Sequence, residues 1–280
     1  MKKILVPTDF SEFAGHALDV AIQLARTHGA KIYLLHMMGI SQAVIGKGDH
    51  NSGAESIYYL QGVKAKFQEM INSEKMQGIE VEEIVQNYKI FSEVNEVAKE
   101  KGIDLIVMGS HGTGFINDFF VGSNTEKVVR NSDIPVLVIK KEHQEFKTDS
   151  VVLACDFKFE NIGVYRKAMK FFSMLRSQVY LVYINVPNQN FLSSFEMEER
   201  VDNFLMEADN GSLDNKELVH YYCDYTIENG IYEFCKKVDA DIISLPTHGR
   251  KGISHFFMGS IGEDVANHAT LPVITFKIQD

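Results

Sequence analysis

The sequence predicts two tandem domains of the α/β class, each built around a doubly wound, five-stranded parallel sheet. Three observations lead to this prediction. The chain has 280 residues, which is long for a single domain. Its second half repeats the first, and in the first half short apolar runs alternate with amphipathic stretches. Such an alternation specifies a parallel sheet with helices on both faces and right-handed crossovers between strands.

Five strands are predicted in the first half. Four apolar runs, at 3–7, 31–38, 104–109 and 135–139, are short and continuous, as expected for strands buried on both faces. The run at 79–87 alternates and is weaker, but it completes the alternation of strands and helices. The first half therefore has the order βαβαβαβαβ.

The segments between these strands carry the signals of helices. Apolar residues recur at helical spacing from Ala14 to Ala25, and Gly29 is placed to end that helix as its C-terminal cap. Further helices are predicted at 54–76, at 92–101 and at 124–130. Sheets of this class bind ligands outside the carboxyl ends of their strands, where the strand order reverses.

The second half repeats the first at two different offsets. Asp9, which ends the first strand, recurs 147 residues later as Asp156, whereas Gly112 recurs 137 residues later as Gly249. The change of offset means that the second copy is about ten residues shorter in its middle. The chain is therefore predicted to be a tandem duplication of one domain.

The junction between the copies is short and charged. Residues 140–149 lack the glycine, serine or proline richness of a long flexible tether, so we expect the two domains to pack together. The domain boundaries are predicted at 1–141 and 148–280.

Charge and cysteine content exclude several classes of function. The formal net charge is −10, which disfavours general binding to nucleic acid or to an anionic membrane. No apolar stretch approaches the roughly 18 residues needed to span a bilayer, and the amino terminus does not resemble a signal peptide. The three cysteines, Cys155, Cys223 and Cys235, fit no disulfide or zinc spacing. These features predict a cytoplasmic protein that binds neither nucleic acid nor membrane.

The most informative segment is a glycine-rich loop after the fourth strand. Gly109, Gly112 and Gly122-Ser123 follow the spacing Gly-x2-Gly-x9-Gly-Ser and lead into a helix. Glycines let backbone N–H groups approach phosphate oxygens, and a helix amino terminus favours an anion. The segment has no lysine of a phosphate-transferring loop, and no G-x-G-x-x-G fingerprint opens the first strand–helix unit. In the alternative interpretation, the glycines only shape turns and Ser123 starts a capping box with Glu126.

This loop, together with Pro7-Thr8-Asp9 and Leu35-His36-Met37, resembles the universal stress protein family over essentially the whole chain. The resemblance implies a Rossmann-like fold related to the adenine nucleotide alpha hydrolases. It also implies that the terminal strands of the two copies pair, as in a dimer within one molecule. The resemblance is also compatible with a homodimer formed by two chains.

One subgroup of that family binds ATP through this loop. The resemblance implies that Asp9 and the backbone of Met37 contact the adenine and ribose, and that Met108 and Gly109 line the nucleoside. The phosphates, with or without Mg²⁺, are then held by Gly112 and the residues around Gly122. The implied nucleotide-binding residues are Pro7, Thr8, Asp9, Met37, Met108, Gly109, His111, Gly112, Gly122, Ser123 and Asn124. No catalytic residue and no protein metal ligand is assigned.

The second copy departs from this pattern. Pro246 replaces Gly109, which removes an N–H donor and fixes φ near −65°. Cys155 replaces Thr8, although Asp156 persists. We therefore expect the first domain to bind nucleotide and the second to bind it weakly or not at all.

The sequence predicts a cytoplasmic stress-response protein that binds ATP and acts as a nucleotide-dependent switch or binding module. At most slow hydrolysis is expected, since no general base, arginine finger or lysine on the phosphates can be identified. One alternative is a scaffold of the same fold that binds no nucleotide. Gly109→Val or Gly122→Val is expected to distinguish the two, by abolishing ATP binding without unfolding the domain. A second alternative is an adenylate-forming or ATP-pyrophosphatase-type enzyme, which needs a Ser-Gly-Gly loop that residues 8–11 do not provide.

Overall fold

In a computed structural model of the chain, strands and helices alternate as the sequence predicts. The structure describes residues 1–38, 50–86, 92–110, 123–187, 191–247 and 271–278. Within these residues, no helix is long and apolar enough to cross a membrane.

The first copy contributes five strands and four helices to the described structure. In chain order they are β1 (Lys3–Pro7), α1 (Glu12–His28), β2 (Lys31–Met37), α2 (His50–Ile71), β3 (Val81–Gln86), α3 (Ser92–Lys101), β4 (Leu105–Gly109), α4 (Ser123–Asn131) and β5 (Val136–Ile139).

The second copy contributes five strands and three helices to the described structure. They are β6 (Ser150–Ala154), α5 (Ile162–Leu175), β7 (Gln178–Asn185), α6 (Ser194–Ala208), β8 (Val219–Cys223), α7 (Ile227–Lys237), β9 (Ile242–Thr247) and β10 (Val273–Lys277). Short 3₁₀ turns lie at Glu74–Met76, Phe159–Asn161 and Asp214–Leu218.

All ten strands form one sheet in the order β3-β2-β1-β4-β5-β10-β9-β6-β7-β8. Strands pair in parallel within each copy, and the copies join through the antiparallel pair β5–β10. In that pair Leu137 lies opposite Ile274. The predicted fold class and the predicted pairing of the terminal strands are both confirmed.

The core lies on both faces of the sheet, which explains the continuous apolar runs. In β1, Ile4 and Val6 belong to one buried cluster and Leu5 belongs to the other, because successive side chains point to opposite faces. All three are fully buried. A strand covered on both sides has no position that tolerates a solvated polar residue.

Helix α1 begins and ends as predicted. The Ser11 side chain accepts a hydrogen bond from the Ala14 N–H at 3.3 Å. Gly29 ends the helix in the left-handed conformation, with φ of 62°. Both residues satisfy backbone groups that the helix ends leave unpaired.

The predicted helix at 54–76 differs from the observed one. Helix α2 spans His50–Ile71, and Glu74–Met76 forms a separate 3₁₀ turn. The break lies at Ser73, whose N–H and hydroxyl both donate to the Met70 carbonyl, at 3.2 Å and 2.7 Å. Serine competes for nearby carbonyls in this way and so favours helix ends.

The junction between the copies packs against α1. Gln23 donates its side-chain N–H to the His143 carbonyl at 3.2 Å and accepts from the Phe146 N–H at 2.8 Å. The linker is thereby held on the first copy.

A carboxylate before β5 connects the two copies. Asp133 accepts from Lys99 at 2.7 Å and from Lys277 of the second copy at 3.1 Å. Hydrogen bonds from Lys99, Lys277 and Asn95 lower the pKa of Asp133 to about 2. Lys167 of the second copy also donates to the Asp133 carbonyl.

Candidate functional site

The strand order of the first copy reverses between β1 and β4. Strands β2 and β3 lie on one side of β1, and β4 and β5 lie on the other. Asp9, Met37 and Gly109 follow or end β1, β2 and β4, so the structure brings them to the same edge of the sheet. This edge is where α/β sheets of this kind bind ligands.

The turn after β1 is fixed by its own side chains. The Thr8 hydroxyl accepts from the Phe10 N–H at 3.0 Å, and the Asp9 carboxylate accepts from the Ser11 N–H at 3.1 Å. Phe10 takes a left-handed conformation, with φ of 63°. These bonds hold the half-buried Asp9 beside the reversal point and make Thr8, which is buried, a structural part of the turn.

His36 lies at this candidate site, although the resemblance does not place it among the implied nucleotide-binding residues. It is buried, and its Nδ1 lies 2.8 Å from the Thr8 carbonyl while its Nε2 lies 3.3 Å from the Tyr59 hydroxyl. Because a carbonyl only accepts, Nδ1 carries the proton. The ring also stacks against Phe10, with centroids 4.7 Å apart. His36 thus links β2, the turn after β1, and α2.

A histidine in an otherwise apolar strand is the available signal for His36, but its partners lie on two other segments, the turn after β1 and α2. A cation also lies near this turn: the Lys66 ammonium is 4.9 Å from the centroid of the Phe10 ring. This distance is within the range of cation–π attraction.

Gly109 packs directly against the first turn of α1. A Cβ at this position would lie 2.6 Å from the Phe13 carbonyl oxygen and 2.7 Å from its carbon. The Gly109 carbonyl accepts from the Thr125 hydroxyl at 2.8 Å. Gly109 therefore allows the close helix–strand packing, and a valine here would force α1 to shift, so Gly109→Val changes packing as well as any ligand contact.

The other implied site residues differ in their burial, and some of them lie outside the described residues. Met108 is 5% exposed and belongs to the core, whereas Pro7 and Met37 are half-buried at strand ends. Asn124 is half-buried in α4, which begins at Ser123. His111, Gly112 and Gly122 lie outside the described residues.

The second copy repeats the backbone of the turn after β1. The Cys155 N–H donates to the Val182 carbonyl at 3.0 Å, as the Thr8 N–H donates to the Leu35 carbonyl at 2.8 Å. The Cys155 sulfur accepts from the backbone of Phe157, whose φ is 51°. Burial raises the pKa of the Cys155 thiol to about 12, so it is neither nucleophilic nor charged at neutral pH.

The carboxylate of the second copy is bonded to its own neighbours. Asp156 accepts from the Asn161 side chain at 2.6 Å and from the Lys158 N–H at 3.2 Å. The Lys158 ammonium lies 3.2 Å from its other oxygen. Tyr183 replaces His36, and its hydroxyl accepts from Arg200 at 3.3 Å. The turn is the same, but the groups around it differ.

Pro246 stands in β9 opposite Phe276 of β10 and lines a cavity of about 250 Å³ at the carboxyl ends of β6, β7 and β9. Having no N–H, it offers no donor to a ligand at the position that Gly109 occupies in the first copy. Among the described residues, no three His, Cys, Asp or Glu side chains cluster to hold a metal ion.

Comparison with known proteins gives matches to both copies. A model described as the universal stress protein family matches residues 1–140 and again 148–277. Universal stress protein MJ0577 of Methanocaldococcus jannaschii is 30% identical over 156 residues, which cover 51% of this chain and 96% of that protein.

Two further matches extend over the whole chain. Universal stress protein Slr1230 of Synechocystis is 25% identical over 303 residues, covering 99% of this chain and 100% of that protein. A solved universal stress protein from Archaeoglobus fulgidus, 18% identical, covers 99% of this chain and 97% of that one with a TM-score of 0.60. The single-domain match and the full-length matches agree with a duplicated domain.

Proposed function

The chain belongs to the universal stress protein family, and from this premise we propose that its first domain binds ATP at the carboxyl ends of β1, β2 and β4. The protein then acts in a stress response as a nucleotide-dependent switch or binding module in the cytoplasm, with at most slow hydrolysis. The second domain binds nucleotide weakly or not at all.

The observation that carries this proposal is the turn after β1. Its hydrogen bonds hold the Asp9 carboxylate at the reversal between β1 and β4, beside the start of the glycine-rich loop. A carboxylate fixed there is suited to accept from the ribose hydroxyls or the adenine amino group. His36 stabilises the same turn, because its Nδ1–H donates a hydrogen bond to the Thr8 carbonyl.

The phosphates of ATP are proposed to lie on the glycine-rich loop and the amino terminus of α4. Gly112 and Gly122 would supply backbone N–H groups, while Ser123 and Asn124 stand at the helix start, where the dipole favours an anion. ATP would bring Mg²⁺ with its phosphates, so the protein itself needs no metal ligand.

One observation favours a second candidate function, a nucleotide-free interaction module. Gly109 is needed for packing against Phe13, so its presence does not require a phosphate. The two functions differ in whether ATP binds at all, which makes the titration below decisive between them.

Isothermal titration of the full chain with Mg-ATP tests the proposed function. Asp9→Asn keeps an acceptor for the Ser11 N–H but removes the negative charge, so the turn persists while a charge-assisted hydrogen bond is lost. Such a bond is worth about 1.5–3 kcal/mol, so affinity should fall roughly tenfold to a hundredfold.

The matched control is Asp156→Asn in the second copy, which should leave ATP affinity unchanged. Absence of saturable ATP binding would overturn the proposal in favour of the interaction module. Equal losses in the two variants would overturn the assignment to the first domain.

A further association of chains is proposed separately. The pairing of β5 with β10 already joins the two copies within one molecule. We propose that the chain also forms a homodimer, which light scattering after size-exclusion chromatography would detect as a mass of twice 31.7 kDa. A mass of one chain would overturn it.

A further inference from the structure

The cavity in the second copy has mostly apolar walls. It occupies about 250 Å³ and is lined by aliphatic groups, among them Ala154, Val182, Ile184, Ile231 and Leu245. Sites for drug-sized ligands span about 300–1,000 Å³, so this cavity suits a smaller molecule with one or two fused rings.

One buried polar atom in the cavity wall has no partner among the residues that the structure describes. Asn161 is 3% exposed and lines the cavity. Its Nδ2 donates to the Asp156 carboxylate at 2.6 Å, and because a carboxylate only accepts, this bond fixes which side-chain atom is Oδ1. Within the part of the chain that the structure describes, Oδ1 has no hydrogen-bond partner.

A buried acceptor without a partner is destabilising, and a donor that enters the cavity would relieve this cost. The acceptor belongs to the second copy alone, since the corresponding residue of the first copy is Ala14. The two copies therefore differ in hydrogen-bonding capacity at this position.

The charges around the cavity disfavour an anion. The carboxylates Asp156 and Glu228 both line it, and Lys158 pairs with the first of them at 3.2 Å, so the described lining residues leave an excess of negative charge. The lining Cys155 thiol and Tyr183 hydroxyl are uncharged, and burial raises the pKa of each. A phosphate or carboxylate ligand would be repelled here.

We infer that the second domain binds a compact, largely apolar small molecule that presents an N–H or O–H donor to Asn161 Oδ1 and carries no negative charge. This inference does not rest on nucleotide binding by the first domain. Together with the proposed ATP site of the first domain, this second site would give the two copies different ligands at equivalent positions in the fold.

Three indole probes test the inference with the full chain at pH 7. Tryptamine, indole and indole-3-acetate share a ring with an N–H donor and differ in charge. By isothermal titration, tryptamine should bind most tightly and indole-3-acetate at least tenfold more weakly than tryptamine. Absence of saturable binding by tryptamine and indole, or tightest binding by indole-3-acetate, would overturn the inference.

Two variants locate the site. Ala154→Leu fills the cavity and should abolish binding of all three probes, with thermal unfolding as the check that it folds. Asn161→Leu keeps the approximate shape but removes the acceptor, and should weaken indole about fivefold. Unchanged indole affinity in either variant would overturn the inference, since the ligand would lie elsewhere or a buried water would satisfy Oδ1.

A third variant tests the charge preference without changing the cavity wall in size. Glu228→Gln should reduce the ratio of tryptamine to indole-3-acetate affinity about threefold. The matched control is Glu233→Gln on the same helix, where the carboxylate pairs with Lys236 at 2.6 Å and lies outside the lining. Equal changes in the two variants would overturn the proposed role of local charge.

Discussion

The two copies of the domain keep one backbone but surround it with different side chains. Both turns after the first strand contain a phenylalanine in the left-handed region, Phe10 at 63° and Phe157 at 51°. Both also keep the same strand-to-strand hydrogen bond at the preceding residue. Around this shared backbone, Tyr183 of the second copy corresponds to His36 of the first, and Asn161 corresponds to Ala14. The fold therefore keeps the backbone of the turn in both copies, while the side chains around it differ.

The largest difference between the copies is expected at Gly109 and its counterpart Pro246, where valine should change the free energy of unfolding by very different amounts. Gly109→Val places a Cβ 2.6 Å from the Phe13 carbonyl oxygen, so α1 must shift. We expect the free energy of unfolding, measured by urea denaturation, to fall by about 3 kcal/mol.

Pro246→Val is the matched control, because that position already carries a side chain. Its effect should stay below about 1 kcal/mol. If the two substitutions cost the same, the packing difference between the copies would not be real.

Substitution of Asp133 should measure how much its ion pairs, one of which joins the two copies, contribute to the free energy of unfolding. Its pKa is depressed to about 2 by Lys99 first and then by Lys277 and Asn95. The stabilisation is therefore fully present above about pH 4 and is lost as the pH falls through about 2. Asp133→Asn should lower the free energy of unfolding by about 1 kcal/mol at pH 7, since salt screens a partly exposed pair.

Urea denaturation between pH 7 and pH 2.5 measures this effect, and the difference between the variant and the original chain should shrink on acidification. Glu145→Gln in the linker is the control, because its pair with Lys147 is exposed and should contribute little. A difference for Asp133 that is independent of pH would contradict the assignment.

Helix ends should show the smallest difference between the copies. Gly29 ends α1 at φ of 62°, whereas Arg176 ends α5 at 61°. The same exchange occurs between Gly102 at 63° and Asp239 at 51°. Left-handed backbone is costly for residues other than glycine, so Arg176→Gly and Asp239→Gly should each stabilise the protein by about 0.5–1 kcal/mol.

Thermal unfolding measures this gain, which should appear as a rise in the melting temperature. Lys170→Gly inside α5 is the control and should destabilise by about 1 kcal/mol, since glycine is unfavourable in a helix interior. A loss of stability in Arg176→Gly would show that its side chain contributes more than the backbone strain costs.

Most of the fold could be predicted from the sequence because the relevant signals are local. The apolar run at 3–7 coincides with β1, and Gly29 ends α1, since burial on both faces and left-handed backbone each restrict the residue types allowed. The predicted end of α2 is less accurate, because the sequence predicts a helix to residue 76 and the observed helix ends at Ile71. A serine inside a helical pattern does not reveal whether it will bond back to a carbonyl, as Ser73 does to Met70.

The site was harder to predict because its contacts join distant parts of the chain. The glycine spacing identified Gly109, but its contact with Phe13 requires β4 to lie against α1, which no local pattern states. The partners of His36 lie on the turn after β1 and on α2. Asn161 has no local signal in the sequence, because its interest depends on its position in a cavity wall and on an Oδ1 atom without a hydrogen-bond partner among the described residues.

The stoichiometry of ATP binding to the full chain tests the central claim most directly, because that claim is a difference between two copies of one domain. Native mass spectrometry at saturating Mg-ATP, with affinities taken from calorimetry, would count the occupied sites. We expect one ATP per chain, with the site weakened by Asp9→Asn and unaffected by Asp156→Asn. Two equivalent ATP molecules per chain would contradict it.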